Sequence, residues 1–251
     1  MSAQRFTDKV SVVNGAASEI GRAVAARLAA EGAVVIGVDR EEHAAGEESI
    51  QVDLTDETRV EALYSAVVDR YGRLDVIYNN MGRMGAGDGS ALHIGTNSWR
   101  QIMDDNLTSI FLSCKHGIPH LMATEPPGGA VVNAASFLAG LGSATAPMAY
   151  SAAKAGVVQL TKDLGVALAK SGVRVNAVLF GPIETAAQRA ILEASPDTLA
   201  KRTVHWPTGR FGTLDEAAEA VAFLASDDAG FITSTALPLD GGIGGAFTVP
   251  E

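Results

Sequence analysis

Val10-Ser-Val-Val-Asn-Gly-Ala-Ala-Ser-Glu-Ile-Gly21 runs from a β-branched stretch through a glycine turn into a helical pattern. The order strand, Gly-rich turn, helix decides the fold class. Gly15 permits a tight turn, and Gly21 permits a helix to pack closely on a sheet. The helix start offers unpaired N–H groups and the positive end of its dipole, the place where a pyrophosphate binds. Ser18, Glu19 and Ile20 fall in that first turn and join Gly15 as candidate cofactor contacts. Such a turn also occurs without a ligand, so residues further along the chain have to decide.

Working outward, strand-like runs recur at Ala33–Val38, Ser49–Val52, Leu74–Tyr78, Ala130–Asn133, Val173–Val178 and Ala236–Leu239. Segments of helical spacing separate them. The clearest carries Val60, Leu63, Tyr64, Val67, Val68 and Tyr71 on one face. Thr213-Leu-Asp-Glu216 is a capping box that predicts another helix start. Strands alternating with helices predict an α/β fold: a Rossmann-type, doubly wound parallel sheet with helices on both faces. Glu125-Pro-Pro-Gly-Gly129 reads as a loop, and no repeat or linker appears, so residues 1–251 are expected to form one domain.

Ligands of such sheets bind beyond the carboxyl ends of the strands. Asp39 ends the second run, eighteen residues beyond Gly21, where a carboxylate can accept from both adenosine ribose hydroxyls. It would repel a 2′-phosphate, which predicts NAD and disfavours NADP. Arg40 beside it works the other way, since a guanidinium can hold a phosphate.

Net charge is −10, which disfavours nucleic acid or an anionic membrane surface as the main partner. Cys114 is the single cysteine, so no intrachain disulfide forms and a cytoplasmic setting is expected. It lies in an apolar helical run and reads as buried and inert. The polar stretch from Met1 to Lys9 has no signal-peptide core, and no apolar run approaches membrane-spanning length. The histidines lack companions at ligand spacing, so no metal site is expected; His116 and His120, four apart, read as surface or packing residues.

Over essentially its whole length the chain resembles the simple, one-domain branch of the short-chain dehydrogenase/reductase family. The resemblance rests on motifs in order: Asn14 to Gly21, Asp53-Leu54, Asn79-Asn80-Met81-Gly82, Asn106 in Asp-Asn-Leu, Ser136, and Tyr150-Ser-Ala-Ala-Lys154. Asn176-Ala-Val, Gly181-Pro-Ile-Glu-Thr185 and Asp240-Gly-Gly242 complete the series. It implies an NAD(P)-dependent enzyme that transfers hydride between a nicotinamide and a small alcohol or carbonyl substrate.

The implied catalytic residues are Asn106, Ser136, Tyr150 and Lys154. Four residues apart on a helix, Tyr150 and Lys154 share a face. The ammonium and the positive nicotinamide ring would pull the phenol below its ordinary value near pH ~10, toward a working general acid/base. Lys154 would also hold the nicotinamide ribose, Ser136 the substrate oxygen, and Asn106 a water leading to solvent. Asp53 would receive the adenine amino group, or else serve as a helix-entry residue before Thr55-Asp56. Leu54, Asn80 and Gly82 would line the adenosine, and Pro182, Ile183 and Thr185 the nicotinamide; Asn79 reads as structural.

The segment 184–209 would form a lid over the substrate. Ser136, Phe137, Leu138, Met148, Tyr150, Phe180, Gly181, Glu184, His205 and Trp206 are the candidate substrate contacts. Glu19 stands where the family's turn usually has a second glycine, Asn14 replaces its threonine, and Phe180 its proline. Ser136 precedes Tyr150 by fourteen residues, one more than usual, which places an extra residue within Phe137–Gly140. Glu19 would either face solvent or repel the phosphates.

The family's habit implies a homotetramer built on the helices around Asn97–Met122 and Tyr150–Lys170. A non-catalytic dinucleotide sensor on the same fold is the main alternative, and it usually lacks Tyr or Lys. A sugar-nucleotide epimerase would need an added domain, and a pure scaffold would not need the tetrad.

Overall fold

Among the described residues the β-branched runs become seven strands. They are β1 (Val10–Asn14), β2 (Val34–Asp39), β3 (Glu48–Gln51), β4 (Val76–Asn79), β5 (Gly129–Ser136), β6 (Val173–Phe180) and β7 (Ala236–Leu239). The computed structural model describes residues 4–82, 84–85, 87–143, 147–193 and 196–246. The first three residues of the polar N-terminus, and residues 194–195 of the expected lid, lie outside that set. All strand pairs are parallel, in the order β3-β2-β1-β4-β5-β6-β7.

In chain order the helices are α1 (Glu19–Ala30), α2 (Glu57–Tyr71), α3 (Thr96–Met103), α4 (Ser109–Ala123), α5 (Met148–Leu168), α6 (Ala186–Glu193), α7 (Pro196–Thr203) and α8 (Leu214–Ala225). Strand alternation sends side chains to two cores. Val10, Val12 and Ile36 pack with Val60, Leu63 and Val67 of α2, and with α4 and α5. Val13 and Val35 pack with Val24 and Leu28 of α1 and Val221 of α8. This is the doubly wound α/β arrangement that the alternation predicts. The Thr213–Glu216 capping box is present at α8.

β5 and β6 run furthest beyond the ends of their apolar runs, by three and two residues. β5 continues through Ala134, Ala135 and Ser136, which pair with Val178, Leu179 and Phe180 of β6. Alanine and serine are weak strand formers, but tertiary pairing overrides that preference. Ser136 is therefore the last strand residue, not the first one after it.

Asn14 and Asn79 belong to a buried polar ladder beneath the strand ends. Asn14 Nδ2 donates to Tyr64 Oη and to Asn79 Oδ1, both at 2.9 Å. Asn79 Nδ2 donates to Asn133 Oδ1 at 2.8 Å, and Asn133 Nδ2 to Thr161 Oγ1 at 3.0 Å. The ladder crosses β1, β4 and β5 and ends on α5. Buried amides of this kind are costly unless paired, so it pins α5 to the sheet in one position. That accounts for an asparagine at position 14, and it supports the structural reading of Asn79.

Candidate active site

Strand order reverses between β1 and β4, so the crevice opens beyond Asn14 and Asn79. Gly15 takes φ +76°, and a Cβ on Gly21 would lie 2.2 Å from Gly15 O, so both glycines are required by geometry. Ser18 caps α1 by accepting from Gly21 N. Asn80 Nδ2 donates to Ser18 Oγ at 2.7 Å and holds the turn against β4.

A cavity runs over this turn, lined by Gly15, Ser18, Asp39, Leu54, Asn80 and Gly82. Asp39 Oδ2 accepts from Ala17 N at 3.0 Å, and Oδ1 from Glu41 N at 3.1 Å. The carboxylate thus stands at the end of β2, fixed to the glycine turn. Arg40 lines the same cavity, with its Nη2 donating to Asp105 Oδ1 at 2.5 Å. Asp53 is absent from the cavity lining. Its Oδ1 accepts from Thr55 N at 3.0 Å and Thr55 Oγ1 at 2.8 Å, the helix-entry arrangement. These bonds, the backbone one first, hold its carboxyl below the usual range.

The crevice continues into a cavity of about 730 Å³. It brings together Ile20, Asn80, Gly82, Ser136, Leu138, Tyr150, Lys154, Gly181, Pro182, Ile183, Thr185, His205 and Trp206, with Phe137 and Phe180 in its wall. Met148 is not among them: its Sδ accepts from Ala91 N at 3.0 Å, and the side chain is turned away to a half-exposed position. Glu184 is also outside, paired with Arg189 at 3.1 Å. Ser136 is followed by a 3-10 turn, Phe137–Ala139, with Ser136 Oγ accepting from Leu138 N.

Lys154 is 2 % exposed. Its Nζ donates to Met81 O and Ala134 O, both at 2.8 Å. A Cβ on Gly82 would fall 2.5 Å from Nζ and 2.8 Å from Asn106 Oδ1, so the glycine is what lets chain, lysine and asparagine meet. Asn106 sits in a π-helical turn, Asp104–Thr108, and donates through Nδ2 to Ile102 O at 2.9 Å. Lys154 Nζ is 5.8 Å from the centre of the Tyr150 ring.

The electrostatics differ from the expectation drawn from spacing. Burial pushes the Tyr150 phenol up, and a hydrogen bond from Ser136 pulls it partly back. Burial also pushes the Lys154 ammonium down, to about 7. Without a cofactor's charge, desolvation of both groups outweighs their attraction.

Between pH ~7 and ~10.5 the unfolded chain binds a proton at Lys154 that the folded protein releases. The penalty is full below the folded value and is relieved as pH rises toward the unfolded one. From pH ~7 to ~9, the parent should gain about 2 kcal/mol relative to Lys154→Met. Denaturant titrations at the two pH values check this, and parallel pH profiles for the two proteins would overturn it.

Glu19 takes neither expected position. Its Oε2 accepts from Ala186 N at 2.7 Å, the first residue of α6. The carboxylate therefore satisfies a free N–H at the start of the lid helix, a favourable pairing of anion and dipole. Sequence reasoning missed Asp88, which accepts from Ala149 N at 3.1 Å and Tyr150 N at 3.0 Å. It caps the helix that carries Tyr150, where the N-cap residue Pro147 makes no side-chain cap bond. Cys114 is buried, and its thiol is pushed up to about 12, as expected of an inert thiol. His116 does have an acidic neighbour: Nε2 lies 3.1 Å from Glu57 Oε1. No helix among the described residues is long and apolar enough to cross a membrane.

Residues 15–244 match the family model described as enoyl-(acyl carrier protein) reductase. The chain is 39 % identical to cis-4-hydroxycyclohexanecarboxylate dehydrogenase of Sinomonas cyclohexanicum, over 95 % of this chain and 98 % of that one. It is 34 % identical to meso-2,3-butanediol dehydrogenase of Serratia marcescens, with 95 % of each chain covered. The ligand-free structure of Thermoplasma acidophilum aldohexose dehydrogenase superposes with a TM-score of 0.90 at 32 % identity, covering 99 % of this chain and 100 % of that one.

Proposed function

The chain belongs to the short-chain dehydrogenase/reductase family and is an oxidoreductase of CH–OH groups, and on that premise we propose that it interconverts a small secondary alcohol and its ketone with NAD(H), Tyr150 acting as general acid/base. The observation that carries this reading is a pair of adjoining cavities that share Asn80, Met81 and Gly82 as lining. Asp39 and the glycine turn stand at one end, and Ser136, Tyr150 and Lys154 converge at the other.

The residues present fit a dinucleotide: the open cavity over the glycine turn is lined by Gly15, Ser18, Asn80 and the Asp39 carboxylate, donors and an acceptor suited to phosphates and a ribose. When bound, the nicotinamide supplies or accepts the hydride. Ser136 Oγ holds the substrate oxygen and strengthens its bond as charge develops there. Tyr150 Oη takes the alcohol proton in oxidation and returns it in reduction. Lys154 holds the nicotinamide ribose, and Asn106 positions a water behind it. Asp39 accepts from the adenosine ribose, with Ser18, Ile20, Leu54, Asn80 and Thr185 along the rest of the cofactor. Residues 1–251 work as one domain, in a reducing cytoplasm. The names of the relatives, a cyclic hydroxy acid, a vicinal diol and an aldohexose dehydrogenase, support a compact alcohol.

A homotetramer through α4 and α5 is part of the same reading. Phe111 and Met122 on α4 and Val166 on α5 are 45 %, 41 % and 72 % exposed, apolar surface that such packing would cover. Light scattering that gives a monomer at micromolar concentration would reject it. Absorbance assays of NADH formation across a panel of secondary alcohols, and of NADH loss with the matching ketones, test the chemistry. Tight NADH binding with no turnover in either direction would favour the sensor reading instead.

A further inference from the structure

A second cation lines the cavity that holds Ser136 and Tyr150. Arg202, on α7, is half-buried and lines the same space as Ser136, Tyr150 and Trp206. It makes no ion pair among the described residues. Arg40, Arg73 and Arg210 show the contrast, each held by a carboxylate at 2.5–2.7 Å. Among the described residues lining the cavity there is no Asp or Glu. The remaining wall is largely apolar, with Met84, Leu138, Leu141 and Phe180.

A guanidinium partly withdrawn from water beside apolar walls loses solvation and gains nothing in return until an anion arrives. Two anions could fill that role, a cofactor phosphate and a substrate carboxylate. Phosphates belong at the start of α1, over Ser18 and Ile20. Arg202 is carried instead by the segment after β6, three and four positions before His205 and Trp206, and lines the same cavity as Ser136 and Tyr150.

From this we infer that the substrate is a carboxylate-bearing secondary alcohol, or the matching oxo acid, with an apolar spacer between its two polar ends. Arg202 binds the carboxylate through a two-pronged contact while the carbinol lies between Ser136 and Tyr150. The inference rests on the oxidoreductase reading of the site. The reaction balances: CH–OH becomes C=O, the hydride passes to NAD⁺, the proton passes to Tyr150 and then to solvent, and the carboxylate is unchanged.

The test pairs 4-hydroxycyclohexanecarboxylate with 4-methylcyclohexanol, and 3-hydroxybutyrate with 2-butanol. The parent should favour the acid of each pair in kcat/KM by about tenfold or more. Arg202→Gln should raise KM for the acids by about 30-fold, with kcat and the neutral alcohols little changed; Arg202→Lys should fall between. Calorimetric titration of the NADH-loaded protein with cyclohexanecarboxylate should give binding in the parent and lose it in Arg202→Gln. Neutral alcohols preferred by the parent, or both classes lost alike in the variant, overturn the carboxylate assignment and leave the oxidoreductase reading standing. Weakened NADH affinity in Arg202→Gln hands the guanidinium to the cofactor phosphates and also overturns it. No turnover of any alcohol or ketone, with NADH bound, defeats both readings.

Discussion

Replacing Tyr150 by Phe is expected to lower kcat by about 10²- to 10⁴-fold while NADH affinity stays within about threefold. The ring is retained, so the packing around the start of α5 is kept, and Asp88 still caps the helix through backbone N–H groups. Only the hydroxyl proposed to exchange the proton is lost. Lys154 keeps its bonds to Met81 O and Ala134 O, which do not involve Tyr150. Ser136 still offers a donor to the substrate oxygen, so the residual rate measures positioning and electrostatic stabilisation without proton transfer. Burial drives the phenol up and the ammonium down. Bound NAD⁺, with its positive ring, should reverse the first of these shifts. The parent's rate of oxidation should therefore rise with pH through one ionisation that the variant lacks. Stopped-flow and steady-state rates across pH check both parts. A variant with turnover like the parent's would remove Tyr150 from the chemistry.

The second large effect concerns the coenzyme. The parent should prefer NAD(H) over NADP(H) by about 100-fold or more in kcat/KM, because on the proposed reading the Asp39 carboxylate at the end of β2 meets the adenosine ribose and would repel a 2′-phosphate. Asp39→Ala removes the repulsion but leaves Arg40 bound to Asp105. The single change should therefore narrow the gap by only about tenfold. Adding Asp105→Asn frees the guanidinium to meet the phosphate and should narrow the gap further, beyond the sum of the separate effects. Residues sharing one ion pair are not independent, and a double-mutant cycle on kcat/KM for the two coenzymes measures that coupling. A parent that prefers NADP(H) would refute the role of Asp39. Additive effects would remove Arg40 and Asp105 from the discrimination.

What the sequence determined by itself is local in origin. The β-branched run ending at Asn14, the turn from Gly15 to Gly21 and Asp39 at the next strand end follow from short-range periodicity and backbone sterics. The pairing of Tyr150 with Lys154 follows from helical pitch. Together these fixed the doubly wound sheet and placed the cofactor crevice at its switch point. What only the tertiary structure decided depends on groups far apart in the chain. Asp88 caps α5 across 61 and 62 positions, and Asp105 holds Arg40 across 65. No pattern within a window of one helix or strand carries such pairs. Ser136 became a strand residue because β6 pairs with it, against the weak strand preference of its neighbours. Met148 is absent from the cavity lining, its sulfur accepting from Ala91 N, and Glu19 accepts from Ala186 N of α6. The directions of the Tyr150 and Lys154 shifts were likewise beyond reach of spacing. A pKa follows the balance of desolvation against neighbouring charge, and desolvation is summed over every segment packed around the group.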